Sequence, residues 1–395
     1  MNSARTSNTA QVLERSGIRV VMIQSLSALR EIADDWNRMA ERTPQHLPML
    51  SYAWLASYFE HRMTQDQSWA VLLAYCGENL VGVFPFLFRH SRHFGIKRME
   101  IQTPSDDHIA SVDFLAEAAR ADTIVPTLIE ALNESFRGNY CLTMSRLPES
   151  SPGLSALSAG NGSLDVIRES DGMGSYLPIS ATLDDTLQRL SSNFRKNLKK
   201  ARKKLAMLPN VETEFTSGSA DDDSNLELLM QVEASGWKGR SGTAILNSQS
   251  LVEFYRALTR RLAEAGWLEW HFLKTDGRVI AAQMATKLGR SLILCKIAYD
   301  EENATVSPGN MLFEKTVERC IERGDIDEID CLTDMAWHRN WQMEQRPHYR
   351  LSIYPRRLTS WMTGSLPARA RRLLGKSPVA KVARDRLKSM TGESQ

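Results

Sequence analysis

The chain has 395 residues, of which 42% are hydrophobic and 24% charged, and its formal net charge is +2. That length exceeds one ordinary core and points to two domains, and the composition is that of a globular protein rather than a fibrous or unfolded one. No run of about 18 apolar residues occurs, which excludes a membrane-spanning helix. Five cysteines, Cys76, Cys141, Cys295, Cys320 and Cys331, are scattered without a CxxC pair, and no HExxH occurs. Neither a disulfide framework nor a metal site is expected, and a reduced cytoplasmic setting fits.

Residues 1–17 are polar and aperiodic; they are expected to be disordered and lack the apolar stretch of a secretory signal. Ile18–Ile23 reads as a strand. Ser25 precedes a helical pattern of Leu26, Leu29, Ile32, Ala33 and Trp36, and Pro44 to Pro48 breaks it. Ser51–Arg62 reads as an aromatic helix. Trp69–Tyr75 and Leu80–Phe88 form a hairpin, Lys97–Gln102 another strand, and Asp106-Asp107-His108 a polar loop. Thr123–Phe136 is a helix and Tyr140–Arg146 a strand. Ser150–Gly162, rich in Ser and Gly, reads as a connection. Asp184 to Leu205 is helical, with a break near Ser191-Ser192 where Ser192 could cap a second helix.

The second half repeats this order. A strand at Asn210–Thr216 is followed by helices at Leu226–Ala234 and Ser250–Ala265. Strands at Trp267–Leu273, Arg278–Lys287 and Ser291–Ala298 follow, joined by Asp276-Gly277 and Gly289-Arg290. An Asp-Gly pair between apolar runs is a strong hairpin signal, because primed turns need positive φ. Ser307-Pro308-Gly309 then opens a helix to Arg323, with strands at Glu328–Leu332 and Tyr349–Tyr354. The expected domains are an N-terminal unit over 18–180, a basic linking helix over 181–209 and a C-terminal unit over 210–355. A basic tail over 356–395 completes the chain.

Charge is unevenly spread. Arg356–Lys388 carries ten Lys/Arg against one acid, Asp385, a local +9 where the whole chain is +2, and Arg195–Lys204 carries seven with no acid. Val379, Val382, Ala383, Leu387 and Met390 share one helical face of the tail, a pattern that suits an anionic membrane surface. For Arg195–Lys204 the commoner outcome is a solvated face; for the tail the competing reading is a solvated or disordered segment.

Five segments carry a family resemblance: Phe194–Arg202, Glu233–Gly239, Asp276–Ala282, Ala298-Tyr299-Asp300 and Ser307–Leu312. They resemble the GNAT-fold acyltransferases of bacterial cellulose and exopolysaccharide biosynthesis clusters, which are similar to the Fem-type aminoacyl transferases that pair two GNAT units. The likeness spans about residues 18–355. It departs at Thr333–Trp341, where Trp337 and His338 stand in place of the Tyr and Lys usual in the family, and the Arg/Gln-x-x-Gly-x-Gly/Ala pyrophosphate signature is absent. The resemblance implies an α/β fold of two GNAT-like units in tandem, each a mixed, mostly antiparallel sheet flanked by helices. It implies acyl-CoA as donor substrate, no metal, and an amine as acceptor, either a polysaccharide precursor or a lipid-like sphingoid base. An aminoacyl-tRNA donor or a non-catalytic scaffold of a polysaccharide synthesis complex are the alternatives, with nucleic acid the less favoured partner. The expected location is cytoplasmic, at the periphery of the inner membrane through the tail.

Acyl transfer to an amine needs a base for the amine, polarisation of the thioester carbonyl and an acid for the thiolate. No Ser-His-Asp or Cys-His order stands out, so no covalent acyl-enzyme is expected. Tyr299, at a strand end, is the expected acid. Asp107, His108 and Asp334 are candidates for the base, with His338 a weaker one. Ser307, Gly309, Asn310 and Met311 open a helix whose free amides suit a phosphate of the donor. Arg195, Trp237, Lys238 and Arg240 would hold an anionic part of the acceptor. For each, packing, capping or a solvated charge is the competing structural reading.

Overall fold

The computed structural model describes residues 9–93, 96–108, 111–137, 140–158, 164–357 and 365. The tail's proposed membrane-facing residues lie outside them.

The first unit runs β1 (Thr9–Arg15), β2 (Ile18–Ile23), α1 (Leu26–Glu31), α2 (Ala33–Arg42), α3 (Tyr52–His61), β3 (Ser68–Cys76), β4 (Asn79–His93), β5 (Ile96–Gln102), β6 (Leu115–Ala116), α4 (Ala121–Phe136), β7 (Tyr140–Pro148), α5 (Pro152–Ser158) and β8 (Leu164–Pro178). After α6 (Leu183–Arg189) and α7 (Ser192–Leu205), the second unit runs β9 (Val211–Ser217), α8 (Ser224–Ser235), α9 (Trp237–Arg240), α10 (Gln249–Glu264), β10 (Leu268–Thr275), β11 (Arg278–Leu288), β12 (Ser291–Tyr299), α11 (Pro308–Arg323), β13 (Glu328–Asp330), α12 (Ala336–Asn340) and β14 (Glu344–Pro355). This is the expected α/β class, two similar units of mixed sheet flanked by helices.

One continuous sheet runs β1-β2-β3-β4-β5-β7-β14-β8-β13-β12-β11-β10-β9, with β6 on β4. Its pairs are antiparallel except β5 with β7 and β12 with β13, one parallel pair in each unit. The units exchange their last strands. β8 leaves the first unit and pairs with β13 of the second, while β14 pairs with β7 of the first. β8 and β14 also pair with each other along most of their lengths. Neither unit therefore completes its sheet without the other.

Hairpin turns fall where the sequence places them. Asp276 and Gly277 both have positive φ, 46° and 74°, as a primed two-residue turn requires. Several expectations shift. Thr9–Arg15, expected to be disordered, is β1, because it pairs along β2. Leu164–Pro178, given no element in the sequence reading, is the long exchanged strand β8. The helical stretch before the second unit is two helices, and its cap is Ser191 rather than Ser192: the Ser191 Oγ accepts the Phe194 N–H at 3.2 Å.

The largest core cluster belongs to both units. Leu55 and Tyr58 of α3 share it with Phe254 and Leu258 of α10, and Trp54 meets Phe254 edge-on with ring centroids 6.3 Å apart. Each such side chain contributes about 1.5–3 kcal/mol when fully buried. Arg261 of α10 ties the same helices by polar bonds, donating to Ser57 Oγ at 2.8 Å and Glu60 Oε2 at 2.7 Å. The loop at Asp106–His108 is thereby held against the second unit.

Candidate active site

β12 stays parallel to β13 only from Ser291 to Ile293, opposite Glu328 to Asp330. Beyond that point the strands part. The gap opens a cavity of about 690 Å³, walled by Leu294–Tyr299 on one side and Cys331–Thr333 on the other. Asp106, Asp107 and His108 reach it from the first unit.

That loop is fixed by bonds within the first unit and by one across to the second. Arg62, at the end of α3, donates to Asp106 Oδ2 at 3.0 Å, and Asp106 Oδ1 accepts the His108 N–H at 2.7 Å. His108 Nδ1 lies 2.9 Å from the Tyr255 hydroxyl of α10. Burial first, and then the charge of Lys296, push the His108 imidazole down to about 4 against the pull of Asp106. It is neutral at ordinary pH.

The inner end of the cavity is charged. Glu233, buried on α8, receives Lys238 Nζ at 2.8 Å and the Ile245 N–H at 2.9 Å, and lies 3.6 Å from Lys296 Nζ. Burial disfavours the Glu233 charge, but Lys296 and Lys238 outweigh it and hold the carboxylate below its usual range. Lys296 is held below the usual lysine range, chiefly by burial and against Glu233. Gly239 is required beside this cluster: a Cβ there would stand 1.8 Å from the Ala234 carbonyl, so α9 packs on α8 only with glycine.

A second hollow, of about 270 Å³, adjoins the first between the end of β12 and the start of α11. Ile297, Ala298, Tyr299 and Trp337 line both. Ser307, Gly309 and Asn310 line the second. Ser307 has φ 50° and turns the chain into Pro308, the first residue of α11. At such a start the amides of Gly309 and Asn310 have no intrahelical acceptor. The Met311 amide, also expected to be free, is not: it donates to the Ser307 carbonyl at 3.1 Å, and its side chain is core. Asn310 Oδ1 accepts the Trp341 indole N–H at 2.9 Å, which fixes that side chain. A Cβ on Gly309 would only reach Tyr299 at 3.5 Å, so the glycine leaves space over the helix end.

The other sequence candidates divide. Tyr299 is 43% exposed and stands where the two hollows meet. Lys238 lines the cavity; Arg240 pairs with Glu301 at 2.6 Å and does not line it. Trp237's side chain lies outside the described residues. Arg195 is exposed on α7, donates to the Gln188 carbonyl at 3.3 Å and lies outside both hollows. Asp334 accepts the Ser175 hydroxyl at 3.3 Å; its neighbours Thr333 and Met335 line the cavity. His338 lines it too, buried, accepting the Met335 N–H on Nδ1 at 3.0 Å, and burial pushes it down to about 4. Cys295 and Cys331 line the cavity but are poor nucleophiles: burial pushes the Cys295 thiol up to about 12 and Cys331 well above its ordinary value. Among the described residues no group of three His, Cys, Asp or Glu could hold a metal ion.

The sequence reading assigned no role to Glu233, Lys296, Tyr255 or Arg146. Lys296 carried a usable signal, being a lone cation inside the apolar strand Ser291–Tyr299.

Residues 192–341 match the family described as acetyltransferase (GNAT) domain. No curated protein matches the chain by sequence. Among solved structures, FemX superposes with a TM-score of 0.57 at 10% identity, over 84% of this chain and 97% of FemX. A conserved protein of unknown function from Bacteroides thetaiotaomicron superposes with a TM-score of 0.50 at 12% identity, over 84% of this chain and 97% of its own. These likenesses are of fold. Residues 192–341 carry a GNAT acetyltransferase domain, and the first unit has a similar element order.

Proposed function

We propose that the chain transfers an acyl group from acyl-CoA to an amine, with the donor bound by the second unit and the acceptor entering between the two. The supporting observation is that the hollow at the start of α11 and the large cavity meet at Tyr299. The amides of Gly309 and Asn310 suit a donor phosphate, and the parted ends of β12 and β13 give the thioester arm a path towards Tyr299. The amine approaches from the Asp106–His108 side. Asp107 or neutral His108 takes its proton, directly or through water, and the Tyr299 hydroxyl protonates the departing thiolate. Leu294, Ile297, Leu332, Met335 and Trp337 supply an apolar wall. An amino-sugar precursor of a surface polysaccharide or a lipid-like amine such as a sphingoid base is the proposed acceptor.

The test is incubation with acetyl-CoA and long-chain acyl-CoA, with amino sugars and sphingosine as acceptors, reading released thiol. Thiol release that depends on an amine is expected. No turnover and no binding of any CoA thioester would sink the reading.

A second reading, with aminoacyl-tRNA as donor, is favoured by the exposed basic face of α7 at Arg195, Lys196, Lys199 and Lys200. It requires RNA affinity that falls steeply with salt and is lost on replacing those residues with Ala. Attachment of the 356–395 tail to an anionic membrane is likewise a proposal; sedimentation with phosphatidylglycerol vesicles, with and without the tail, tests it. Among the described residues no helix is long and apolar enough to cross a membrane.

A further inference from the structure

Of two cations in the large cavity, one has no carboxylate within ion-pair distance and the other shares one. Arg146 comes from β7 of the first unit with φ 53°. Its Nη2 donates to the Leu332 carbonyl at 2.9 Å and lies 3.4 Å from His348 Nδ1, and its buried Nε has no acceptor. The nearest acid, Asp171, accepts the Arg146 backbone N–H at 2.8 Å and pairs with Arg350 at 3.2 Å. Among the described residues no carboxylate stands within ion-pair distance of the Arg146 guanidinium.

Lys296 is the second. It shares Glu233 Oε1 with Lys238, which holds the shorter contact, 2.8 Å against 3.6 Å, and the other carboxylate oxygen is taken by the Ile245 N–H. One carboxylate thus serves two ammonium groups. The Lys296 ammonium otherwise sits 5.3 Å from the centre of the Tyr255 ring. Both cations line the large cavity and neither lines the hollow at α11. A cation kept out of water without its own counter-charge is costly, and a ligand that brings the missing charge relieves that cost.

We propose that the acceptor amine carries an acidic group, a carboxylate or a phosphate, which Arg146 and Lys296 bind in the large cavity. This deepens the transferase reading and rests on it for the word acceptor, but the binding claim stands apart. A neutral amino sugar or an unmodified sphingoid base lacks the group; their phosphorylated forms, or an amino acid, have it. Guanidinium and ammonium bind either anion, the guanidinium in a two-pronged geometry.

The experiment is isothermal titration of the full chain, without CoA, using three matched pairs: glucosamine and glucosamine 6-phosphate, sphingosine and sphingosine 1-phosphate, alaninamide and alanine. In at least one pair the acidic member should bind about tenfold or more tighter than its neutral partner. Which pair responds separates phosphate from carboxylate. Lys296→Met and Arg146→Gln should each erase that preference and leave CoA affinity within twofold, whereas Arg146→Lys should restore part of it. Melting curves confirm that the variants fold, and because three substitutions are read, one that fails to fold does not decide the matter. The proposal is overturned if no acidic member outbinds its partner, or if the preference survives both charge-removing variants. Failure of thiol release with every one of these amines would instead count against the transferase reading, with the binding result intact.

Discussion

The two units share an element order yet differ where their parallel strand pairs end. In the second unit β12 leaves β13 after Ile293 and a cavity opens. In the first, β5 stays on β7 to its last residue, Gln102 opposite Thr143, and the Thr103 N–H continues the ladder to the Thr143 carbonyl at 3.1 Å. No gap forms. The helices that follow differ in the same sense: α11 begins Pro308-Gly309-Asn310 with no acid in its first turn, whereas α4 carries Asp122 in its first turn. An acid there stabilises the helix and repels a phosphate. The cavity thus opens in the second unit, and the first contributes Asp106–His108 and Arg146 to its lining.

That asymmetry can be broken by experiment. The largest effect is expected at the acid. Tyr299→Phe should lower amine-dependent thiol release about 100-fold with little change in CoA affinity, while Gln102→Ala, at the end of the equivalent strand, should change it less than about twofold. Next is the helix start. Gly309→Asp should weaken CoA binding about tenfold by placing a charge against the phosphates, and Asp122→Asn in α4 should leave it unaltered; titration calorimetry reads both.

A stability effect follows. Arg261→Ala removes the bonds from α10 to Ser57 and Glu60 and should cost about 1 kcal/mol in urea unfolding, the pair being partly solvent-screened. The smallest effect concerns pH. His108 is held near 4 in the folded chain, below its ordinary 6.5. The unfolded chain therefore binds more protons between those values, and stability falls as pH drops through that window. His108→Gln should lose less melting temperature than the parent between pH 7 and pH 5. His338 and His348, also near 4, act in the same direction, and Asp113 and Asp330, raised to about 6 by burial, act against it.

Much of the second unit was legible because its signals are local. Asp276-Gly277 dictates a turn, Pro308 at the first helical position dictates a start, and apolar runs mark β10 to β12 as core strands. The exchanged strands were not legible in the same way. β8 follows a segment read as a connection, and its partners β13 and β14 lie about 150 to 190 residues away in the chain, so no local pattern announces the pairing. Tyr299, Asp107, His108, Lys238 and the start of α11 were named from sequence and stand at the cavity or its neighbouring hollow. Glu233, Lys296 and Arg146 are not legible in the sequence, because one buried carboxylate between two ammonium groups, and a guanidinium without a carboxylate, arise only on packing. Arg195 was favoured for its place in a basic run, yet the face of α7 that carries it turns to solvent.

The central claim is one donor site per chain, in the second unit. Calorimetric titration with CoA tests it most directly. One equivalent should bind per chain, with affinity reduced by Gly309→Asp and unaltered by Asp122→Asn. Two equivalents per chain, or a single equivalent that survives Gly309→Asp undiminished, would contradict it.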